Sequence, residues 1–265
     1  MVKVDVDLRG LVTKNARLRE RDLKFVGVLA LNETMKFTRT KLGEEMQRAF
    51  DRPTYYTLNS MLVQHATKTK LFASVYVRKD GMGKTGNSPE NFLTPQVYGG
   101  GRKFKRFERA LRAASVLPAG WYVVPGPYAR IDQFGNIDRG QIIQLLSYFK
   151  AFREQGFRGN ATDQSIARIW KRGHSGKVAT FGRRYFALQR PRGKLGPGIY
   201  MVERNTGSQR LEVPRPVWLF VRSVRYRPRW QFYRVAEGVV RMRFPLEWKR
   251  AVAKVLSLNA QRGWT

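Results

Sequence analysis

The sequence contains no cysteine. That excludes disulfides, thiolate metal sites, iron–sulfur clusters and cysteine nucleophiles together. Histidine is nearly absent: His65 and His174 are the only two. A zinc site takes three or four ligands at consistent spacing, so two isolated imidazoles do not suggest one. Carboxylates are scarce as well, 19 Asp+Glu in 265 residues. No run reaches the ~18 uninterrupted apolar residues of a membrane span, and none is expected. The opening Met1-Val2-Lys3-Val4-Asp5-Val6-Asp7 carries two acids where signal and transit peptides avoid them.

Positive charge is what the chain has in excess. Against those 19 acids stand 51 Lys+Arg, a formal net charge of +32. Arginine outnumbers lysine by 34 to 17, and guanidinium groups form bidentate contacts with phosphate and carboxylate that an ammonium does not. A net charge of about 2–8 suffices for solubility, so this surplus calls for a polyanion or an acidic partner. It is spread along the chain: Arg102-Lys103-Phe104-Lys105-Arg106, Arg168 to Arg172, Arg183-Arg184, Arg190-Pro191-Arg192 and Arg222 to Arg234. Aromatic residues interleave with these runs, unlike the low-complexity composition of disordered basic arms. With 42% hydrophobic and 12% aromatic residues the chain can bury a core. The expectation is a folded body with several basic faces, directed at nucleic acid or at acidic subunits of an assembly.

Periodicity organises the chain as follows. Residues 1–22 read as a short strand, with Val2, Val4 and Val6 on one face, and a charged connector. Residues 23–155 form a helical and mixed N-terminal region. Leu23, Val26, Ala30, Thr34, Phe37, Leu42, Met46 and Phe50 recur at helical steps, and Asp51-Arg52-Pro53 stops that helix. Residues 70–78 suggest a strand, 80–89 a turn-prone loop projecting from a hairpin. Helices are expected over 104–117 and 141–155, with a short strand from Trp121 to Pro127 between them. Residues 156–182 are basic and irregular. Residues 183–265 are strand-rich, with strands over 184–189, 198–204 and 215–221, and end in helices over 232–243 and 245–259. Pro245 suits the first turn of the last helix. The fold class is α+β: a long N-terminal helix and C-terminal helices around a central, mainly antiparallel sheet, with extended loops.

Motifs that would carry chemistry fail on spacing or context. Gly83-Lys84-Thr85 lacks the glycine five positions upstream that a Walker A loop requires, that position being Arg78. Gly86-Asn87-Ser88-Pro89 is also not expected to begin a helix. Tyr98-Gly99-Gly100-Gly101 lacks the dinucleotide-binding spacing; its glycines suit a sharp turn or a close approach of another chain. Glu247-Trp248-Lys249 has the E-x-K form of metal-dependent nucleases, yet follows a proline expected to start a helix, where the helix dipole accounts for the glutamate. Asp132 and Asp138 flank a Gly-Asn turn and are read as turn residues. No nucleophile elbow is present. The carboxylates mostly stand beside Arg or Lys and are expected in ion pairs. No enzyme, cofactor or metal is expected.

The densest Arg/aromatic mixture runs from Arg222 to Arg234. Extended, it would align Arg225, Arg227 and Arg229 as a basic edge, with aromatic rings free to stack or anchor. The equally weighted alternative places the rings in the core and leaves only the arginines solvated. The candidate nucleic-acid or partner-binding residues are Arg102, Lys103, Lys105, Arg106, Arg183, Arg184, Arg222, Arg225, Arg227, Arg229, Trp230 and Arg234. Trp218, Trp230 and Trp264 are expected to be exposed for interfaces, whose centres favour Trp, Tyr and Arg.

Two stretches resemble tail-completion proteins of tailed bacteriophages. Phe25-Val26-Gly27-Val28-Leu29-Ala30-Leu31-Asn32-Glu33-Thr34 is an apolar helix ending in Ala-Leu-Asn. Pro216-Val217-Trp218-Leu219-Phe220-Val221 is followed by a basic helix and Phe244-Pro245-Leu246. Together they are similar to the minor tail protein Z family. Pro95 to Gly100 and Arg106 to Leu111 also resemble phage virion proteins. The resemblance covers about a third of the chain and carries no catalytic signature. It implies a structural virion protein at the tail or head–tail neck, working as a ring subunit, made in the host cytoplasm. Its partners would be other virion proteins of the tail, neck or portal-proximal region, copies of itself, and double-stranded DNA through phosphates. The alternative is a sequence-nonspecific nucleic-acid-binding protein outside a virion.

Overall fold

A computed structural model describes residues 2–5, 20–80, 88–152, 159–171, 182–204 and 213–261. The segment Gly81–Gly86, His174, Arg172 and Trp264, all weighed above, lie outside the described residues. The fold is α+β with antiparallel sheets. The chain divides into two compact units, Met1–Gly100 with Tyr226–Thr265, and Gly101–Arg225. These are not the divisions that a linear reading places at 22, 155 and 182, because packing joins distant stretches into one unit.

The first unit is built on two long helices. Helix α1 (Glu20–Ala49) turns Leu23, Val26, Ala30, Leu31, Met35, Leu42 and Met46 inward at steps of three and four residues, the expected stripe. Glu20 and Asp22 in its first turn and Arg48 in its last complement the helix dipole. Two buried threonines are satisfied within the helix: Thr34 Oγ1 donates to the Ala30 carbonyl at 2.7 Å, and Thr38 Oγ1 to that of Thr34 at 2.8 Å. The helix ends at the expected Asp-Arg-Pro stop, where Arg52 takes a φ of +46°. After the short helix α2 (Tyr55–Leu58), strands β1 (Val2–Asp5), β2 (Met61–Gln64) and β3 (Phe72–Val77) form an antiparallel sheet in the order β1-β3-β2. Ala73 and Val75 are completely buried in it.

The loop expected over 80–89 lies mostly outside the described residues, and the chain resumes in helix α3 (Pro89–Tyr98), which begins where no helix is expected. Ser88 occupies the N-cap position, and Pro89 sits in the first turn, where a missing N–H costs nothing. The final helix α7 (Phe232–Gln261) is continuous through Pro245, so the expected division into two helices is corrected. Arg241, whose carbonyl loses its helical donor there, and Pro245 are both exposed, so water can serve that carbonyl. On the opposite side Ala251 and Val255 pack with Leu23, Val26 and Ala30 of α1. Trp230 and Phe232 join Leu31, Met35, Met46 and Leu93 in the larger core.

The second unit centres on a four-stranded antiparallel sheet ordered β5-β8-β7-β6. Its strands are β5 (Tyr122–Pro125), β6 (Gly182–Leu188), β7 (Gly198–Arg204) and β8 (Arg215–Val221), the last two matching the expected bounds. A register shift between Ile199 and Tyr200 bends β7 against β8. Helices α4 (Arg106–Ala113), α5 (Arg139–Tyr148) and α6 (Asp163–Lys171) complete the unit. The last falls inside the stretch expected to be irregular. Leu111, Leu145, Ile199, Val217 and Trp218 form the centre of its core, each completely buried. Two-residue strands β4 (Gly100–Gly101) and β9 (Arg225–Tyr226) pair where the chain leaves and re-enters the first unit. Gly99 and Gly100 there have φ of +78° and +94°, the turn geometry expected of the glycine run.

Candidate interaction surfaces

The candidate basic residues divide into buried connectors and outward-facing groups. Arg102 is a connector. Its side chain is only 9% exposed and grips Glu108 on α4 with both terminal nitrogens, at 2.7 and 2.5 Å. The same guanidinium donates to the Val123 carbonyl of β5 at 3.1 Å. Glu108 is completely buried and also accepts from the backbone N–H groups of Lys105 at 2.6 Å and Val123 at 2.8 Å. Burial alone would raise its pKa. The hydrogen bonds from Arg102, Val123 and Lys105, with the Arg102 charge, outweigh burial and hold the carboxyl below its ordinary value. Beside this network lies a stack of guanidinium and ring planes. Arg112 sits 4.0 Å from the Phe104 centroid, Phe104 stacks on Tyr122 at 4.5 Å, and Arg102 covers Tyr122 at 5.0 Å. Much of the Arg/aromatic mixture near residue 104 therefore holds α4 to β5.

Lys103, Lys105 and Arg106 are exposed on the same unit, with the Lys105 ammonium 5.9 Å from the Phe107 ring centroid. On β6 the two arginines separate: Arg183 donates to Glu203 at 3.1 Å, a carboxylate shared with Arg215 at 2.7 Å, whereas Arg184 is exposed. Arg222 is exposed and lies over the Trp121 ring at 5.4 Å. Arg225, the last residue of this unit, is exposed.

In the first unit Arg227, Arg229 and Arg234 are exposed, while Trp230 is 1% exposed. Trp230 and Trp218 are core residues, which corrects the expectation that both serve as exposed anchors. The alternation of exposed Arg229 and Gln231 with buried Trp230 and Phe232 is a readable signal of that outcome. Backbone N–H groups of Arg229 and Trp230 both donate to the Gln96 carbonyl of α3, at 2.8 and 3.0 Å. The Arg229 guanidinium binds the Gln96 side chain at 3.0 Å. Arg234 donates to Gln231 at 3.2 Å.

Next to this segment is a cavity of about 250 Å³ floored by Leu93, Trp230 and Phe232 and walled by Tyr76, Val97, Tyr98 and Tyr233. Lys79 and Glu90 are its charged lining residues. Tyr98 is 64% exposed, and its hydroxyl lies 2.5 Å from that of Tyr233. The hydrogen bond to Tyr98, then burial, push the Tyr233 pKa up to about 12. Sequence reasoning missed this cavity because α3, which supplies five of its lining side chains, was not anticipated.

The acids behave as expected of a basic chain. Glu20, Asp22, Glu33, Glu44, Asp51, Glu108, Asp138, Asp163, Glu203 and Glu247 each have a basic side chain within 4.0 Å. Asp132 accepts from the N–H groups of Phe134 and Asn136, as a turn residue does, while Asp138 caps α5 by accepting from Gln141. Glu247 is corrected from a first-turn residue to a mid-helix one, held between Arg243 and Arg250 at 2.9 Å each. Among the described residues no group of three or more His, Asp or Glu could hold a metal ion. No helix of the described residues is long and apolar enough to cross a membrane. Comparison with models of known families, with curated proteins and with solved structures finds no match to the chain.

Proposed function

We propose that the chain is a structural subunit of a tailed-bacteriophage particle, in the tail or head–tail neck. It would assemble as part of a ring and adhere to acidic neighbours and to DNA phosphates. The observation that carries the adhesive part is the disposition of charge. Ten of the described carboxylates have a basic side chain within 4.0 Å, while Lys103, Lys105, Arg184, Arg222, Arg225, Arg227 and Arg234 face outward. A chain of net charge +32 with these bases outward is stabilised when external carboxylates or phosphates approach. The phage assignment rests on the sequence resemblance at Phe25–Thr34 and Pro216–Val221.

The alternative, a nonspecific nucleic-acid binder outside a particle, draws on the exposed arginines flanking β9, since phosphate contacts need no base reading. Antibody labelling or mass spectrometry of purified particles separates the two. The virion reading expects the chain at a fixed, ring-like copy number in particles washed at high salt. A chain absent from such particles, yet binding duplex DNA with an affinity that falls steeply with salt, refutes it.

A further inference from the structure

Helix α7 has two apolar faces, and among the described residues only one packs into a core of its unit. The inner face carries Ala251 and Val255, with Phe244 and Trp248, into the contact with α1. On the opposite side stand Met242, Leu246, Lys249, Ala253, Leu256 and Ala260, separated by steps of four, three, four, three and four residues. All six are exposed, Met242 by 76%, Leu246 by 50% and Leu256 by 37%. The outer face of a surface helix is ordinarily polar. Here it carries an unbroken heptad seam with five of six positions apolar, about 27 Å long at 1.5 Å per residue.

We propose that this seam docks an amphipathic helix of a protein partner, one that carries Asp or Glu along the flanks of its apolar stripe. Alternating four- and three-residue spacing is the pattern that lets one helix receive the side chains of another. Ala253 and Ala260 leave room for a backbone to come close. The charges choose the partner. Lys249 lies in the seam and Arg250 beside it, and the sole acid between residues 238 and 261, Glu247, is turned inward between Arg243 and Arg250. A second copy of the chain would bring bases against bases. A nucleic-acid backbone would leave Met242, Leu246 and Leu256 without apolar contact. A membrane-surface helix presents a broad face of bulky side chains, whereas this seam is narrow, with alanine at two positions and a lysine at its centre. The inference stands independently of the virion assignment, since it uses only the exposed residues of α7.

The test uses the full chain and a synthetic peptide of about three heptads, with Ile and Leu at its seam positions and Glu at both flanks, so that it repels itself and remains single. Fluorescence anisotropy is expected to show saturable binding of this peptide and none of a counterpart with Lys at the flanks. The variant Met242→Gln/Leu246→Gln/Leu256→Gln, neutral and helix-compatible, is expected to bind at least about tenfold more weakly. Ala253→Trp, which obstructs the seam from outside and removes no internal contact, should have a similar effect should the triple variant lose its circular dichroism. Lys249→Gln/Arg250→Gln should weaken binding severalfold and flatten its salt dependence, while Lys70→Gln/Lys194→Gln, two exposed bases elsewhere in the fold, should leave it unchanged. Equal binding of both peptides, or binding indifferent to the seam variants, overturns the proposal. So does seam-dependent dimerisation in sedimentation, or seam-dependent attachment to phosphatidylglycerol vesicles in place of the peptide.

Discussion

Removing the Arg102 side chain should destabilise the second unit far more than removing an exposed ion pair such as Lys36–Glu33. In Arg102→Met, the completely buried Glu108 carboxylate keeps two backbone N–H donors and loses its counter-charge. Breaking a buried pair from one side costs about 3–5 kcal/mol, whereas exposed pairs contribute about 0–1 kcal/mol. Glu108→Leu should cost at least as much, because it strands both the guanidinium and the N–H groups of Lys105 and Val123. The informative variant is the double one, Arg102→Met/Glu108→Leu. No charge remains unpaired, but the two N–H groups still lack an acceptor, at about 1–3 kcal/mol each. The double variant should therefore be less stable than wild type by about 2–6 kcal/mol. It should also be more stable than the sum of the single effects by about 2 kcal/mol or more. Urea unfolding, followed by tryptophan fluorescence and by circular dichroism on the same samples, measures all four proteins. A double variant as stable as wild type would refute the role assigned to the backbone donors. Additive single effects would refute the coupling.

Three further outcomes follow from the same structure. Because the folded Glu108 carboxyl has a lowered pKa, the unfolded chain takes up its proton first as pH falls. The stabilisation is complete above the unfolded value and disappears as pH drops through the folded one, so Glu108→Gln should show a flatter stability profile than wild type between about pH 5 and pH 3. Tyr98→Phe should return the Tyr233 pKa from about 12 towards the ordinary 10.0, read from the alkaline titration of the ring carbon in NMR spectra. An unshifted titration would remove the hydroxyl pair from the account. Gly198→Ala would drive its methyl carbon into the Trp218 carbonyl oxygen of the neighbouring strand, and a destabilisation of about 1–3 kcal/mol is expected in thermal melts.

Much of this architecture is legible in the sequence where one pattern acts alone. Strands β7 and β8 are short runs rich in branched and aromatic residues, and α1 carries an uninterrupted helical stripe, so local spacing suffices. It fails around proline. Pro89 opens α3 where no helix is expected, Pro95 is buried within it, and Pro245, read as the start of a helix, lies inside α7, where Phe244 and Trp248 pack on the α1 side. Trp230 illustrates the opposite error. A basic, aromatic neighbourhood reads as a binding surface, yet the ring completes a core assembled from α1 and α3, far away in sequence. Glu108 appears as one more charge in Arg106-Phe107-Glu108-Arg109. Its burial depends on Val123, fifteen residues on, arriving alongside.

The discontinuity of the first unit constrains the order in which the molecule can be finished on the ribosome. Residues 101–225 supply the whole of the second core, so that unit can close while α7 is still being translated. The earlier-made half must meanwhile wait with Leu23 and Val26 unsheltered and the core around Leu31 and Met35 unfinished, since Trp230, Phe232, Ala251 and Val255 are delivered last. A chain truncated before residue 230 would thus carry one complete core and one sticky, unsealed half, and a chaperone that shields apolar helices would find its client there.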